Sequence, residues 1–214
     1  MRQLGLLIWL ILIGLVAPAK AQESGLRLVN KVQPSIVLIV TYDRLGKLLN
    51  QGSGFFVARD RVITSKHVIA DAVHLRIVLA NGKAFAVKGV VARDEGGDLV
   101  LLRVKVGNSQ GASLTIKEDF PSKGERVYVV GHRGGGWSVS SGDLLAIYDF
   151  KDVGERLRIT AQLMPGSSGS PVLNGDGEVI GVAGSVFMSN EPLYFATPAK
   201  RIIALLARSA RASE

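Results

Sequence analysis

Three polar residues stand where apolar runs begin or end. His67 follows Val62-Ile-Thr-Ser-Lys66, Asp98 directly precedes Leu99-Val-Leu-Leu102, and Ser168 lies in Met164-Pro-Gly-Ser-Ser-Gly-Ser-Pro171. A residue at the end of a buried strand is held by a rigid element yet can face a cleft. A carboxylate in such a place is readily buried and then needs N–H donors. Gly166 and Gly169 flank the serine. They permit backbone conformations that a side chain would block, so main-chain N–H groups can point at a reacting oxygen.

The chemistry such a set can perform is acyl transfer. A serine hydroxyl alone is a poor nucleophile, and a neutral imidazole can take its proton near neutral pH. A carboxylate on the far ring nitrogen fixes the tautomer and stabilises the imidazolium. The N–H groups of Gly166 and Ser168 would then hold the tetrahedral oxyanion, each such donor being worth about 2.7–4 kcal/mol in the transition state. Each residue alone has an ordinary structural explanation: a surface histidine, a Gly-Ser turn, an aspartate opening a strand. The weight lies in the combination and in the order His, Asp, Ser. That order, with serine in G-x-S-G-x-P, excludes the α/β-hydrolase pattern, where serine comes first in G-x-S-x-G. Asp94 competes with Asp98 for the acid role, and Asp98 is preferred because it immediately precedes the apolar strand. His74 has no serine-like neighbour and reads as structural.

The elements that must position these residues read as β. Short Val-, Ile- and Leu-rich runs cover 35–42, 54–58, 61–64, 75–79, 84–91 and 99–106, with Asn81-Gly82 as a hairpin signal. A second group covers 126–130, 137–147, 157–163, 171–173, 178–184 and 193–197. The period then changes. Thr197 and Pro198 open a helix predicted over 198–208, with Ile202, Ile203, Leu205 and Leu206 on one face. The expected fold is all-β, two six-stranded antiparallel barrels with a short C-terminal helix. The first barrel is expected at about 30–107 and the second at about 120–198.

The chain has 214 residues, 47% of them hydrophobic, with a net charge of +8 and no cysteine. This much apolar surface excludes disorder as a description of the whole chain. The lack of cysteine excludes disulfide scaffolds and thiolate metal sites. The reading calls for no metal and no cofactor. Nor is a nucleic-acid partner indicated, since basic blocks, finger spacings and aromatic-studded motifs are missing. At the start, Arg2, the apolar run Leu4–Val16 and the small residues Ala19 and Ala21 read as a signal peptide over 1–21. An uncleaved membrane anchor is the alternative. Cleavage would take away 21 of the 214 residues, Arg2 and Lys20 among them, leaving 193 residues and lowering the net charge from +8 to +6. The remaining 22–214 would form one catalytic domain, exported to a bacterial periplasm or secreted.

Several blocks together resemble the trypsin-like serine proteases, in particular the protease domain of the HtrA/DegP group. Gly52-Ser-Gly-Phe-Phe-Val57 is similar to its GSGF strand, and Thr64-Ser-Lys-His-Val68 to its T-x-x-H-V block. Asp94 with Asp98-Leu-Val-Leu-Leu-Arg-Val104 resembles D-x-x-x-D-L-A-V-L-K-V. Val130-Gly-His-Arg-Gly134 resembles a G-N-P-x-G turn, Pro165–Pro171 resembles P-G-N-S-G-G-P, and Phe195-Ala-Thr-Pro198 resembles F-A-I-P. The resemblance spans about 27–207. It implies a serine endopeptidase acting on protein substrates, with His67 as general base, Asp98 as its orienting acid and Ser168 as nucleophile. The alternative is a weak or inactive trypsin-fold binding protein of the envelope.

Ser167 and Ser170 depart from the usual Asn and Gly, and His132 and Arg133 from the usual turn. No PDZ domain is expected after the protease domain, and no oligomeric state is readable. By the resemblance, Gln162 lies at the base of the pocket for the substrate side chain, with Ala183, Gly184 and Ser185 as walls and Tyr194 and Ala196 near. Gln162 is not acidic, which implies a preference for small or medium apolar residues over Lys and Arg.

Overall fold

The structure, a computed structural model, describes residues 17–107, 112–119, 121–133, 136–188 and 191–211. Most of the expected signal segment (1–16), Gly134 of the turn block and Phe120 lie outside the described residues. The described chain begins with helix α1 (Ala17–Val32), which continues across the expected cleavage point after Ala21. Leu28 and Val32 of α1 are buried together with Leu173 and Val179 of the second barrel. None of the described helices is long and apolar enough to cross a membrane.

The first barrel comprises β1 (Ile36–Tyr42), β2 (Leu48–Ala58), β3 (Arg61–Ser65), β4 (His74–Val78), β5 (Ala84–Asp94) and β6 (Leu99–Val104). It closes in the order β1-β2-β3-β6-β5-β4, with every pairing antiparallel. The second comprises β7 (Arg126–Arg133), β8 (Gly136–Phe150), β9 (Gly154–Ile159), β10 (Pro171–Leu173), β11 (Val179–Phe187) and β12 (Leu193–Pro198). It closes as β10-β11-β12-β9-β8-β7, again antiparallel throughout. Helix α2 (Ala199–Arg211) ends the described chain.

Alternating side chains fill each barrel. Val37, Ile39, Phe56, Val62, Val100 and Leu102 form the first core. Val127, Val129, Leu144, Leu157, Ile180 and Val172 form the second. A third cluster lies between the barrels, where Ile36, Phe55, Leu99 and Leu101 meet Val130, Val182 and Ile202 and Leu205 of α2. Closure leaves neither barrel with an unpaired sheet edge.

Three boundaries differ from the sequence reading. β2 starts at Leu48 rather than Gly54, because Leu48, Asn50 and Gln51 pair with Tyr42, Thr41 and Val40 despite their exposure, and Gly52 and Ser53 with Ile39 and Leu38. β9 runs over Gly154–Ile159 rather than 157–163. The chain leaves the sheet at Thr160, whose hydroxyl accepts the Asp143 N–H at 2.8 Å. Thr197 and Pro198 do not open the helix. Both pair with β11, and the Thr197 hydroxyl donates to Gly97 O at 2.7 Å instead.

Candidate active site

His67 lies on a 3₁₀ turn, Lys66–Ile69, that continues β3. Val68 and Ile69 are buried and anchor the turn. Val68 packs so closely on Gly52 that a Cβ at Gly52 would meet its methyl carbons at 2.7 Å. The turn therefore turns His67 outward, leaving its side chain 44% exposed.

Asp98 occupies the bend between β5 and β6 in a left-handed conformation, φ 54°. Aspartate tolerates that region better than most residues. The bend folds the residue back onto His67. Asp98 Oδ1 accepts the His67 main-chain N–H at 3.0 Å, and Oδ2 lies 2.5 Å from His67 Nδ1. The Lys66 N–H donates to Asp98 O at 2.9 Å, closing the contact. Both carboxylate oxygens are thus committed to one histidine, which fixes the ring's position.

Asp94, the rival acid, is engaged elsewhere. The Arg201 guanidinium of α2 grips it as a fork, Nε to Oδ2 and Nη2 to Oδ1, each at 2.7 Å. The hydrogen bond from Arg201 holds the Asp94 carboxyl below its ordinary range against the opposing effect of burial, with help from the Gly97 N–H. Gly97 fits because any side chain there would overlap the Asp94 carboxylate. Arg156 of β9 donates from Nη2 to Gly96 O at 2.5 Å, and Thr197 holds Gly97 O. The bend that carries Asp98 is therefore clamped by the second barrel and α2.

Replacing Arg201 with methionine would strand a nearly buried carboxylate. A loss of about 3 kcal/mol is expected, at the low end for breaking a buried pair because Arg201 is a quarter exposed. The depressed Asp94 carboxyl stabilises the fold above its unfolded pKa of about 3.9, and this contribution fades as pH falls through the lower folded value. Urea melts from pH 7 to pH 2.5 should show the gap between wild type and Arg201→Met narrowing only in the acid range.

Ser168 lies between two linked turns. The Ser167 N–H donates to Met164 O at 2.8 Å, and the Ser170 N–H to Ser167 O at 3.0 Å. The third residue of each turn is a glycine at positive φ, Gly166 at 91° and Gly169 at 82°, so both are type II. A Cβ on Gly169 would overlap Ser53 O and Thr64 Oγ1. Ser168 O accepts the Ser53 N–H of β2, while the Gly169 N–H donates to Ala183 O of β11, each at 2.8 Å. The loop is thus pinned to both barrels.

From 166 to 170 the amides of Ser167, Gly169 and Ser170 are all bonded to main-chain oxygens. Those of Gly166 and Ser168 have no protein acceptor among the described residues. Gly166, Ser168 and His67 all face one cleft of about 1010 Å³. The arrangement brings together a hydroxyl, an imidazole aligned by a carboxylate and two uncommitted N–H donors. Among the described residues no cluster of His, Cys, Asp or Glu could hold a metal ion.

The residues expected around the substrate side chain do not line this cleft. Ala183 and Ala196 face each other across β11 and β12 and are wholly buried in the second core. Tyr194 packs partly against that core. Gly184 is half-buried, Ser185 is exposed, and Gln162 is exposed with its carbonyl accepting Ser140 Oγ at 2.7 Å. The cleft is lined instead by Leu48, Leu49, Asn50 and Gln51 of β2 and by Trp137 of β8. Sequence reasoning missed the β2 stretch because the strand it expected there began only at 54. It also missed Ser53, Arg156 and Arg201, whose roles depend on partners 60 or more residues away.

Two closed six-stranded barrels, with the candidate groups where they meet, define the chymotrypsin-like class of fold. The chain belongs to the trypsin-like peptidase domain family, whose model matches residues 52–182. It is 30% identical over 159 residues to a probable periplasmic serine endoprotease DegP-like of Rhizobium meliloti, covering 70% of this chain and 31% of that protein. It is 27% identical over 198 residues to serine protease HTRA1A of Danio rerio, covering 85% and 40%. It is also 27% identical over 166 residues to the anti-sigma-I factor RsgI9 of Acetivibrio thermocellus, covering 78% and 24%. The chain thus spans at most two fifths of the length of these relatives. Among solved structures, the Rv3671c protease of M. tuberculosis in its active form superposes with a TM-score of 0.74 at 25% identity. That match covers 84% of this chain and 82% of that one. A serine endoprotease from Yersinia pestis gives 0.73 at 25% identity, covering 86% and 66%.

Proposed function

We propose that this chain is a serine endopeptidase that hydrolyses protein substrates through an acyl-enzyme. The observation that carries the reading is the pair of uncommitted amides at Gly166 and Ser168 in the same cleft as an imidazole aligned by Asp98. Ser168 Oγ attacks the scissile carbonyl carbon while His67 Nε2 takes its proton. The new oxyanion accepts the Gly166 and Ser168 N–H bonds. Asp98, bonded to Nδ1 and to the His67 main chain, keeps the ring in position and stabilises the imidazolium. His67 then returns the proton to the leaving amine, and water repeats the sequence to release the acid.

The substrates are unfolded or exposed polypeptide segments outside the cytoplasm. Export is supported by the sequence of residues 1–21 and by the relatives named periplasmic. The resemblance that places Gln162 near the substrate side chain supports a small or medium apolar residue before the scissile bond, since Gln162 carries no charge to pair with Lys or Arg. A peptide-library cleavage profile should be led by such residues, and one dominated by Lys and Arg would reverse that preference.

The test of the activity itself is fluorophosphonate labelling of the purified protein together with casein cleavage. Both should be present in the wild type and absent in Ser168→Ala. The second reading, a binding protein on the same fold, is favoured by the likeness to an anti-sigma-I factor. It takes the lead if a well-folded wild type neither labels nor cleaves.

A further inference from the structure

The hydroxyl of Ser53 is wholly buried on β2 of the first barrel, yet its partners lie on the second. It accepts the His132 N–H at 3.0 Å and donates to Gly166 O at 2.9 Å. One hydroxyl therefore bridges β7 and the turn before the nucleophile. We infer that Ser53 is a positioning residue that holds the Gly166–Ser167 peptide, the fixed point from which the Gly166 N–H is aimed at the oxyanion. The inference rests on the proposed peptidase reading.

The physical argument starts from glycine. With φ at 91° and no side chain, Gly166 is the most easily rotated point of the turn. Its N–H has no acceptor among the described residues in the absence of substrate, so nothing on the donor side holds it. Its carbonyl is the one group of Gly166 with a partner, and that partner is Ser53. Fixing the carbonyl fixes the Gly166–Ser167 peptide plane, and the Gly166 N–H, which belongs to the Pro165–Gly166 peptide, is aimed from that anchor through φ and ψ of Gly166. The Met164 to Ser167 bond closes the other side of the turn, leaving the N–H aimed where the turn geometry dictates.

The same residue also ties down its neighbour. The Ser53 N–H holds Ser168 O at 2.8 Å, so the main chain and side chain of Ser53 together grip both residues that carry the free amides. Space around the hydroxyl is tight, since a Cβ at Gly131 would lie 2.9 Å from Ser53 Oγ. The other hydrogen-bonded end, at His132, leads to the cleft wall. The His132 ring meets Trp137 edge-on, with centroids 4.8 Å apart, and Trp137 lines the cleft. Preorganised donors act only when held at the oxyanion position, so loosening the Gly166–Ser167 peptide should slow both acylation and deacylation, which pass through the same oxyanion, without weakening substrate binding.

The experiment compares wild type, Ser53→Ala and Ser53→Thr as the full chain. Measurements are kcat and KM for p-nitrophenyl acetate, the fluorophosphonate labelling rate, and the unfolding midpoint by circular dichroism. In Ser53→Ala, kcat and the labelling rate should fall about 10- to 100-fold, less than the 10²–10³ for deleting a donor outright. KM should stay within about threefold, and the pH midpoint of kcat should not move, because His67 and Asp98 are untouched. Ser53→Thr keeps the hydroxyl and should recover most of the rate. Should Ser53→Ala fail to fold, Ser53→Cys fills the same space with a far weaker hydrogen-bonding group and carries the same expectation. A folded hydroxyl-free variant with kcat within twofold of wild type overturns the inference and leaves the peptidase reading intact. A loss that appears in KM alone also overturns it. A wild type that neither labels nor turns over ester removes the peptidase reading and this inference with it.

Discussion

Ser168→Ala is expected to lower turnover by about 10⁶-fold while leaving the fold intact, the typical effect of deleting the nucleophile of a serine triad. The size follows from the mechanism. Without Oγ no acyl-enzyme forms, and the oxyanion amides can act only on a rare direct attack by water. Stability should change by less than about 0.5 kcal/mol, since the Ser168 side chain lies on the cleft wall rather than in a core cluster. The ties that shape the loop run from Ser168 O, Gly169 N and Ser170 N, all main-chain atoms that alanine retains. Single-turnover casein cleavage and fluorophosphonate labelling, with circular dichroism beside them, separate a missing nucleophile from a missing fold. A variant that retains more than a hundredth of the wild-type rate would place the nucleophile elsewhere.

The second large effect is expected from Asp98→Asn, a change of one atom that should cost about 10⁴-fold in kcat. Both carboxylate oxygens of Asp98 accept from His67, one from the main-chain N–H and one at Nδ1. An asparagine has only one oxygen. The main-chain N–H cannot change its role, so the amide oxygen must face it and the amide NH₂ must face Nδ1. That forces Nδ1 to be the acceptor and puts the ring proton on Nε2, the nitrogen that must accept from Ser168. The enzyme would be folded, correctly shaped and in the wrong tautomer. The loss should be largest near neutral pH, and KM should barely move. Nitrogen-15 NMR of the imidazole would show the exchanged tautomer directly, and an unchanged tautomer with full activity would remove Asp98 from the mechanism.

Much of the fold was legible because closed barrels write a simple pattern. Runs such as Ile36–Tyr42 and Leu99–Val104 are apolar on nearly every residue, as strands buried on both sides must be. The two groups of six emerged from such runs and from turn signals like Asn81-Gly82, where Gly82 takes φ 79°. Less legible were edges set by partners rather than by composition. Residues 48–51 precede the strand expected from 54 yet pair as strand, because Val40, Thr41 and Tyr42 offer them a ladder. Thr197 looks like a helix cap, but Gly97 O across the barrel interface claims its hydroxyl.

The same division runs through the candidate site. By itself the sequence determined the chemical set: an imidazole, a carboxylate and a hydroxyl, each at an element's end, with glycines where main-chain N–H groups must be exposed. These depend on residue type and local spacing, which a chain carries openly. The sequence preferred Asp98 to Asp94 for its place before an apolar strand, but only the tertiary structure shows what each of these two carboxylates, four residues apart, touches. The left-handed bend at Asp98 returns its oxygens to His67, while Arg201 from the far end of the chain takes Asp94. Only the tertiary structure, likewise, joined Ser53 to Gly166, 113 residues later, and put Leu48 and Leu49 on the cleft wall. The reason is physical. A hydrogen bond between barrels exists only once both have closed, so no local propensity in either segment records it.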